Sequence, residues 1–263
     1  MFLVFNKDKI QTYIVSVLTV AILIGVASIG NIKTISTSAT TKLLPIYNVQ
    51  TDINKVAFTM NCAWNADDID GILETLKNNN VYITFFMVGN WVDKYPEAVQ
   101  KIYKAGHEIG SHSNTHPHVN NLSAEKNLEE INVSVSKIEK ITGQKTNLYR
   151  APYGEYNDIV IQTAQENGYY TIQWNLDTLD YEGLTGDEMW NRIKDKLENG
   201  SIILSHNGTR HTADSLDMLI KNIKSSGYEI TTVSDLIYKD NYSINNNGTQ
   251  IKNWIYFICV GNN

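Results

Sequence analysis

The chain has 263 residues, a formal net charge of −6, 42% hydrophobic content and 19% charged residues. That suits one domain with a sizeable core plus extensions, and the mild acidity, with no basic run or basic-aromatic stripe, argues against a nucleic-acid surface. The two cysteines, Cys62 and Cys259, stand far apart without a C-x-x-C pattern, which argues against a disulfide framework and leaves a single bridge open.

The first element is apolar. Residues 12–30 carry no charge, Lys7 and Lys9 precede them, and Lys33 is the next charged residue. Such a run is about long enough to cross a bilayer as a helix. Lysines ahead of it favour an inside N-terminus, so residues 1–31 are expected to be a cytoplasmic stub and single-pass anchor in the cell membrane, with the remainder extracytoplasmic. A cleaved signal peptide is the alternative, although no clean A-x-A site follows. Residues 32–54, rich in Ser, Thr and Lys, read as a short tether.

From Lys55 onward strand and helix patterns alternate. Strands are expected at 56–61, 82–88, 108–113, 147–151, 170–177, 201–206 and 229–233. Helices are expected at 68–77, 96–104, 124–141, 158–166, 186–198 and 213–224, with Gly106, Gly143, Gly168, Gly200 and Gly227 as stops. Seven strands joined by helices imply an α/β fold with a parallel sheet, because each return to a parallel neighbour needs a crossover. A distorted seven-stranded (β/α) barrel over residues 55–238 fits best, and an open doubly wound sheet is second. No G-x-G-x-x-G opens any helix, so no nucleotide cofactor is expected. Residues 239–263 turn to Asn, Tyr and Ser and end in an apolar stretch at 254–260, which reads as a surface appendage.

In such folds chemistry collects at the carboxyl ends of the strands. Those ends carry Asn61-Cys62, His112 with His116, Arg150-Ala151-Pro152-Tyr153-Gly154, Asp177-Thr178-Leu179-Asp180-Tyr181 and Leu204-Ser205-His206-Asn207. Two imidazoles four positions apart can close on one face of a divalent metal, and imidazole suits zinc, cobalt or nickel. Each group alone could equally cap a helix or satisfy a turn. Arg150 could be a surface ion-pair partner, and Trp174 could be core or pocket wall. His107, His118 and His211 have no assigned role.

The set resembles the polysaccharide deacetylases, the NodB-homology group of carbohydrate esterases, over about residues 55–238. The family's H-[ST]-x-x-H corresponds to His112–His116, R-x-P-Y-G to Arg150–Gly154, D-x-x-D-W to Asp177–Tyr181 and L-x-H to Leu204–His206. The N-terminal apolar run, Gly89-Asn90-Trp91 and the Asn-rich tail look like the branch tied to sporulation and the spore wall. The resemblance implies metal-dependent removal of N-acetyl groups from peptidoglycan or a related glucosamine-containing glycan. In that chemistry a metal activates water and polarises the acetamide, and a histidine protonates the departing amine. His206 is the candidate acid, Asp180 the group that orients it, and Arg150 the fork that fixes a neighbouring carboxylate or amide. The Tyr153 N–H is a candidate oxyanion donor, while Trp174 and Leu204 are candidate walls of an acetyl pocket.

The family's T-F-D-D reads Thr59-Met60-Asn61-Cys62 here. The first aspartate of that motif is the base on metal-bound water, and the second completes the metal triad with His112 and His116. Asn61 cannot take a proton and can only orient water or an acetamide by hydrogen bonds. Cys62 as a thiolate would complete a His-His-Cys set suited to zinc, and cobalt is possible; a strand cysteine is otherwise a small apolar residue. Asp67 and Asp68 are alternative ligands, or else serve a helix start. Two functions of different class follow: a membrane-anchored glycan N-deacetylase, or a non-catalytic glycan-binding or morphogenetic protein on the same fold. A glycosidase using Asp177 and Asp180 is a weaker third, since nothing places them on opposite sides of a sugar.

Overall fold

The structure is a computed structural model that describes residues 15–19 and 42–253. Residues 15–19 are helical and belong to one unit, and the body considered below belongs to a second, which begins at Lys42. The expected anchor over residues 1–31 falls largely outside the described residues, as does Cys259. Among the described residues no helix is long and apolar enough to cross a membrane.

The body opens with a two-residue strand, β1 (Asn48–Val49). A parallel sheet follows from β2 (Lys55–Cys62), β3 (Thr84–Met87), β4 (Glu108–Ser111), β5 (Leu148–Tyr149), β6 (Tyr170–Thr171), β7 (Leu176–Asp177), β8 (Ile202–His206) and β9 (Glu229–Thr231). The helices are α1 (Ile69–Asn78), α2 (Gly89–Lys94), α3 (Pro96–Lys104), α4 (Ala124–Thr142), α5 (Asp158–Glu166), α6 (Gly186–Ile193), α7 (Thr212–Ser225) and α8 (Val233–Leu236). Strands neighbour one another in the order β6-β5-β4-β3-β2-β8-β7. β9 pairs with the lower half of β2, Lys55–Ala57, while β3 pairs with its upper half, Thr59–Cys62. This is a curled, open half-barrel of parallel strands with helices, not a doubly wound sheet.

The alternation of β2 decides where the site lies. Successive side chains on a strand point to opposite faces. Val56, Phe58, Met60 and Cys62 therefore share one face, where they join Ile69, Ile72 and Leu76 of α1 and Leu216, Leu219 and Ile220 of α7 in the main core. Ala57, Thr59 and Asn61 share the other. Ala57 packs there with Ile46, Val49, Phe86, Ile172, Ile202, Val233 and Leu236, and Asn61 reaches the cleft at the strand ends.

Several expected elements change on folding. The strand expected at 170–177 is two strands, β6 and β7, at opposite edges of the sheet. The residues between them cross the open side, and their backbone is taken up by Ile46 and Ile202: Gln173 N–H donates to Ile46 O (2.7 Å) and Asn175 N–H to Ile202 O (3.2 Å). Residues 42–54 are not a simple tether, since Ile46 and Val49 are buried. Nor are the residues after 238 a loose appendage. β10 (Tyr242–Ile244) and β11 (Thr249–Lys252) form a small sheet with β1, and Gln250 is fully buried, its amide bridging the Tyr238 N–H (2.8 Å) and C=O (2.7 Å).

Candidate functional site

A cleft of about 670 Å³ opens at the carboxyl ends of the strands, and Asn61, Trp64, Lys94, His112, His116, Tyr153, Trp174, Asp177, Tyr181, Leu204 and His206 line it. Its size falls in the ~300–1,000 Å³ range of small-molecule sites. Most of the residues singled out from the sequence thus meet in one place.

The floor is a closed hydrogen-bond network whose proton positions follow from its partners. Arg150, fully buried, donates through one terminal nitrogen to Thr59 Oγ1 (2.8 Å) and Asn61 Oδ1 (3.0 Å), through the other to Gln173 O (3.2 Å), and through Nε to Ile172 O (3.4 Å). A guanidinium only donates, so the Asn61 oxygen must face it and the amide NH2 must face away. That NH2 lies 3.3 Å from His112 Nε2 and 3.5 Å from His206 Nε2. His112 Nδ1 lies 2.8 Å from Arg150 O, and a carbonyl only accepts, so Nδ1 carries the proton and Nε2 is a lone pair. His206 Nδ1 lies 2.8 Å from Asp180 Oδ1, which fixes the same tautomer. The Asn61 amide therefore turns its two hydrogens toward the two Nε2 atoms.

The supporting residues explain the geometry. Asp180, fully buried, also accepts from the backbone N–H of His206 (2.6 Å) and Tyr181 (3.0 Å) and from Thr212 Oγ1 (2.7 Å). Burial holds His112 well below the usual histidine range, and His116 is depressed by the same cause. Burial also pulls Arg150 down to about 9, against the opposing attraction of Asp177. Its guanidinium carbon lies 4.0 Å from the Phe86 ring centre and 5.5 Å from that of Trp174. Phe86 comes that close because Gly110 has no side chain; a Cβ there would stand 2.6 Å from the ring. Tyr153 lies beside His116 (ring centres 4.5 Å) and stacks on His118 (4.4 Å), whose Nδ1 meets Glu155 at 2.7 Å. Its own backbone is left-handed, φ 58°.

Three expected ligands do not reach the cleft. Cys62 points into the apolar core, fully buried, with its thiol pushed up by burial and by the nearby Asp68 charge. Asp68 does not face the cleft; it is the N-cap residue of α1 without a side-chain cap bond, and its carboxylate accepts from Asn207 Nδ2 (3.1 Å) and Gly208 N–H (2.7 Å). Asp67 is exposed and lines a different surface hollow. Among the described residues no group of three His, Cys, Asp or Glu side chains is placed to hold a metal ion. His112 and His116 remain as a pair, with ring centres 4.9 Å apart, but the third position is sealed, so these residues do not fit the three-ligand metal that the resemblance implies. His107 is not a site residue either, being buried against Tyr82 and Phe85.

Sequence reasoning missed two contributors. Glu130 of α4 accepts from Ser113 Oγ (2.8 Å), Asn114 N–H (2.9 Å), Thr115 N–H (2.7 Å) and Thr115 Oγ1 (2.9 Å), fixing the loop that carries His116. Nothing in the sequence distinguishes it from the other glutamates of that helix. Trp64 lies on the cleft rim, and its position just past the end of β2 was a usable signal.

The strand ends of a parallel half-barrel thus gather paired imidazoles, a buried arginine and an aspartate-held histidine. The chain belongs to the polysaccharide deacetylase family, whose profile matches residues 48–172. It is 36% identical over 193 residues to the uncharacterized protein YlxY of Bacillus subtilis, covering 73% of this chain and 60% of that one. It is 33% identical to the peptidoglycan-N-acetylmuramic acid deacetylase PdaC of the same organism, covering 69% of this chain and 38% of that one. These matches thus span less than two thirds of either relative. Among solved structures, a carbohydrate esterase family 4 pseudoenzyme from Bacillus anthracis superposes with a TM-score of 0.71 at 32% identity, covering 74% of this chain and 69% of that one. A mutant of that pseudoenzyme is described as having restored enzymatic activity.

Proposed function

We propose that this protein is a catalytically degraded deacetylase that holds an N-acetylated glycan strand, of the peptidoglycan type, without hydrolysing it at the rate of its active relatives. The observation that carries the reading is the Asn61 amide, pinned with its oxygen on Arg150 and its NH2 toward His112 and His206. A carboxylate there could take a proton from water; an amide cannot, and loss of a general base costs on the order of 10²–10⁴ in rate. The position that would supply the third metal ligand is turned into the core as Cys62. What remains is a cleft with aromatic walls and polar floor groups, the mixture that orients a sugar. The peptidoglycan substrates printed in the names of relatives supply the ligand class. The apolar run at 12–30 behind Lys7 and Lys9 supports tethering to a membrane with the cleft on the outer side, facing a cell or spore wall.

A residual hydrolase is the second reading, and the intact Asp180–His206 pair favours it. The two are separated by measuring acetate release and retention on peptidoglycan for the full chain, with zinc or cobalt added. The expected result is retention with no acetate above background, unchanged when a chelator is added. Acetate release by the natural chain that a chelator abolishes would overturn the proposal.

A further inference from the structure

We infer that Trp64 is a sugar-stacking residue, a flat platform on the His206 side of the cleft that grips one pyranose ring of a β-linked N-acetylglucosamine strand. The inference rests on the glycan-binding reading above and names the group that provides the grip.

The first observation is where apolar surface is left uncovered. Between residues 42 and 253 six large apolar side chains are exposed, namely Ile53, Trp64, Tyr82, Tyr153, Ile159 and Tyr181. Scattered singly they would need no explanation, but three of them, Trp64, Tyr153 and Tyr181, rim the same cleft. Their arrangement has two sides. Trp64 and Tyr181 each lie 5.3 Å from the His206 ring, at 37° and 86°, forming an open aromatic corner around it. Tyr153 stands with His116 and His118 instead. Asn61, Asp177 and His112 lie in the same cleft as polar groups.

The second observation is that the Trp64 turn is clamped from behind although its indole is 48% exposed. The carbonyl of the next residue, Asn65, accepts from both Trp91 Nε1 (2.9 Å) and Asn207 Nδ2 (2.6 Å). Asp68 ties the far end of the turn to Gly208 N–H at 2.7 Å, and a Cβ on Gly208 would stand only 3.0 Å from Asn65 Oδ1. These bonds fix the backbone that carries the indole, and the ring itself lies against the His206 ring at 5.3 Å. Holding a binding group in place beforehand lowers the ordering cost of association.

The third step is chemical. A β-linked N-acetylglucosamine unit carries its ring substituents equatorially, so both faces of the pyranose present axial C–H groups and are apolar, while the rim is polar. That shape matches a flat indole beside hydrogen-bonding groups. A linear strand laid along the cleft would meet Trp64 and Tyr181 on one side of the pocket floor and Tyr153 on the other.

The test measures binding of N-acetylglucosamine tetramer and pentamer to the full chain in mild detergent, by calorimetry and by tryptophan emission. Binding should perturb tryptophan emission. Trp64→Ala should weaken binding by roughly tenfold, and Trp64→Phe, which keeps a smaller ring, by less. The emission change should shrink in both variants to the part contributed by Trp174 in the same cleft, with melting temperatures close to the natural chain's because the turn is held by Asn65 and Asp68. Equal affinity of Trp64→Ala and the natural chain overturns the assignment of Trp64 and leaves the glycan reading standing. Absence of binding by the natural chain overturns both.

Discussion

Arg150 keeps a full charge where water does not reach, and no carboxylate among the described residues touches it; its acceptors are the oxygens of Thr59, Asn61, Ile172 and Gln173. Neutral oxygens compensate a buried cation only in part, which is why burial dominates and draws its pKa down to about 9. Asn61→Asp would place a carboxylate at the 3.0 Å contact and supply the missing counter-charge. The expected outcome is a gain of about 1–3 kcal/mol, read as a raised melting temperature at neutral pH. A lower melting temperature would mean that the amide's two contacts to His112 and His206 outweigh the ion pair. At this scale the sequence was informative in a specific way. The facing of Asn61 and Cys62 follows from the two-residue period of a strand, so only one of the pair could enter the cleft while β2 stayed extended to its last residue. The proposal of Cys62 as a ligand came from matching motif letters, which ignores that geometry. Trp64 was overlooked because a tryptophan in a turn has no period to read.

Gly200 shows how one position can decide an element. It precedes β8 with φ +80°, and a Cβ there would fall 1.7 Å from the carbonyl oxygen of Val49. Backbone cannot yield as a flexible side chain can. Gly200→Ala should therefore break the Val49 N–H···Gly200 O bond (3.0 Å) and loosen β1 from the barrel, together with its partner β11. A loss of about 2–4 kcal/mol in urea unfolding, with faster amide exchange at Val49 and Gln250, is the expected result. Unchanged exchange at those two amides would show that the small sheet stands without this contact. The sequence placed the long elements well, because α3 and α5 carry full amphipathic turns and β2 and β8 are near-continuous apolar runs. It failed on 170–177, where an alternating run long enough for one strand is spent on two short ones at opposite edges. Nothing local marks that break; it is imposed by Ile46 and by Arg150, both distant in the chain. The role of β1, β10 and β11 was hidden for the same reason, since each is too short to show a period.

At the scale of the whole molecule, acid should act on the two ends of one central strand together. β4 is flanked by His107 and His112, and burial keeps both neutral. His107 takes its Nδ1 proton acceptor role from Ile83 N–H (3.3 Å), and burial holds its pKa down to about 4. In the unfolded chain the same imidazole titrates near its ordinary value of about 6.5. Between those two values the unfolded chain binds a proton that the folded one refuses, so stability rises with pH and is lost as pH falls through the window. His112 is shifted in the same direction and adds to the loss. Asp177, whose carboxyl is raised by burial, works the other way, because its neutral form is favoured in the fold and gains on acidification. Three histidines, since His116 is depressed too, against one carboxylate leave a net decline. Urea unfolding at pH 7, 6, 5 and 4.5 should show stability falling steadily, with His107 alone contributing roughly 2.5 kcal/mol at the acid end. His107→Gln removes that proton from both states, so its curve should be flatter than the natural chain's while retaining the share due to His112. Parallel curves for the two proteins would show that His107 stays open enough to be protonated in the folded state, and the acid sensitivity would then belong to the cleft end of β4 alone.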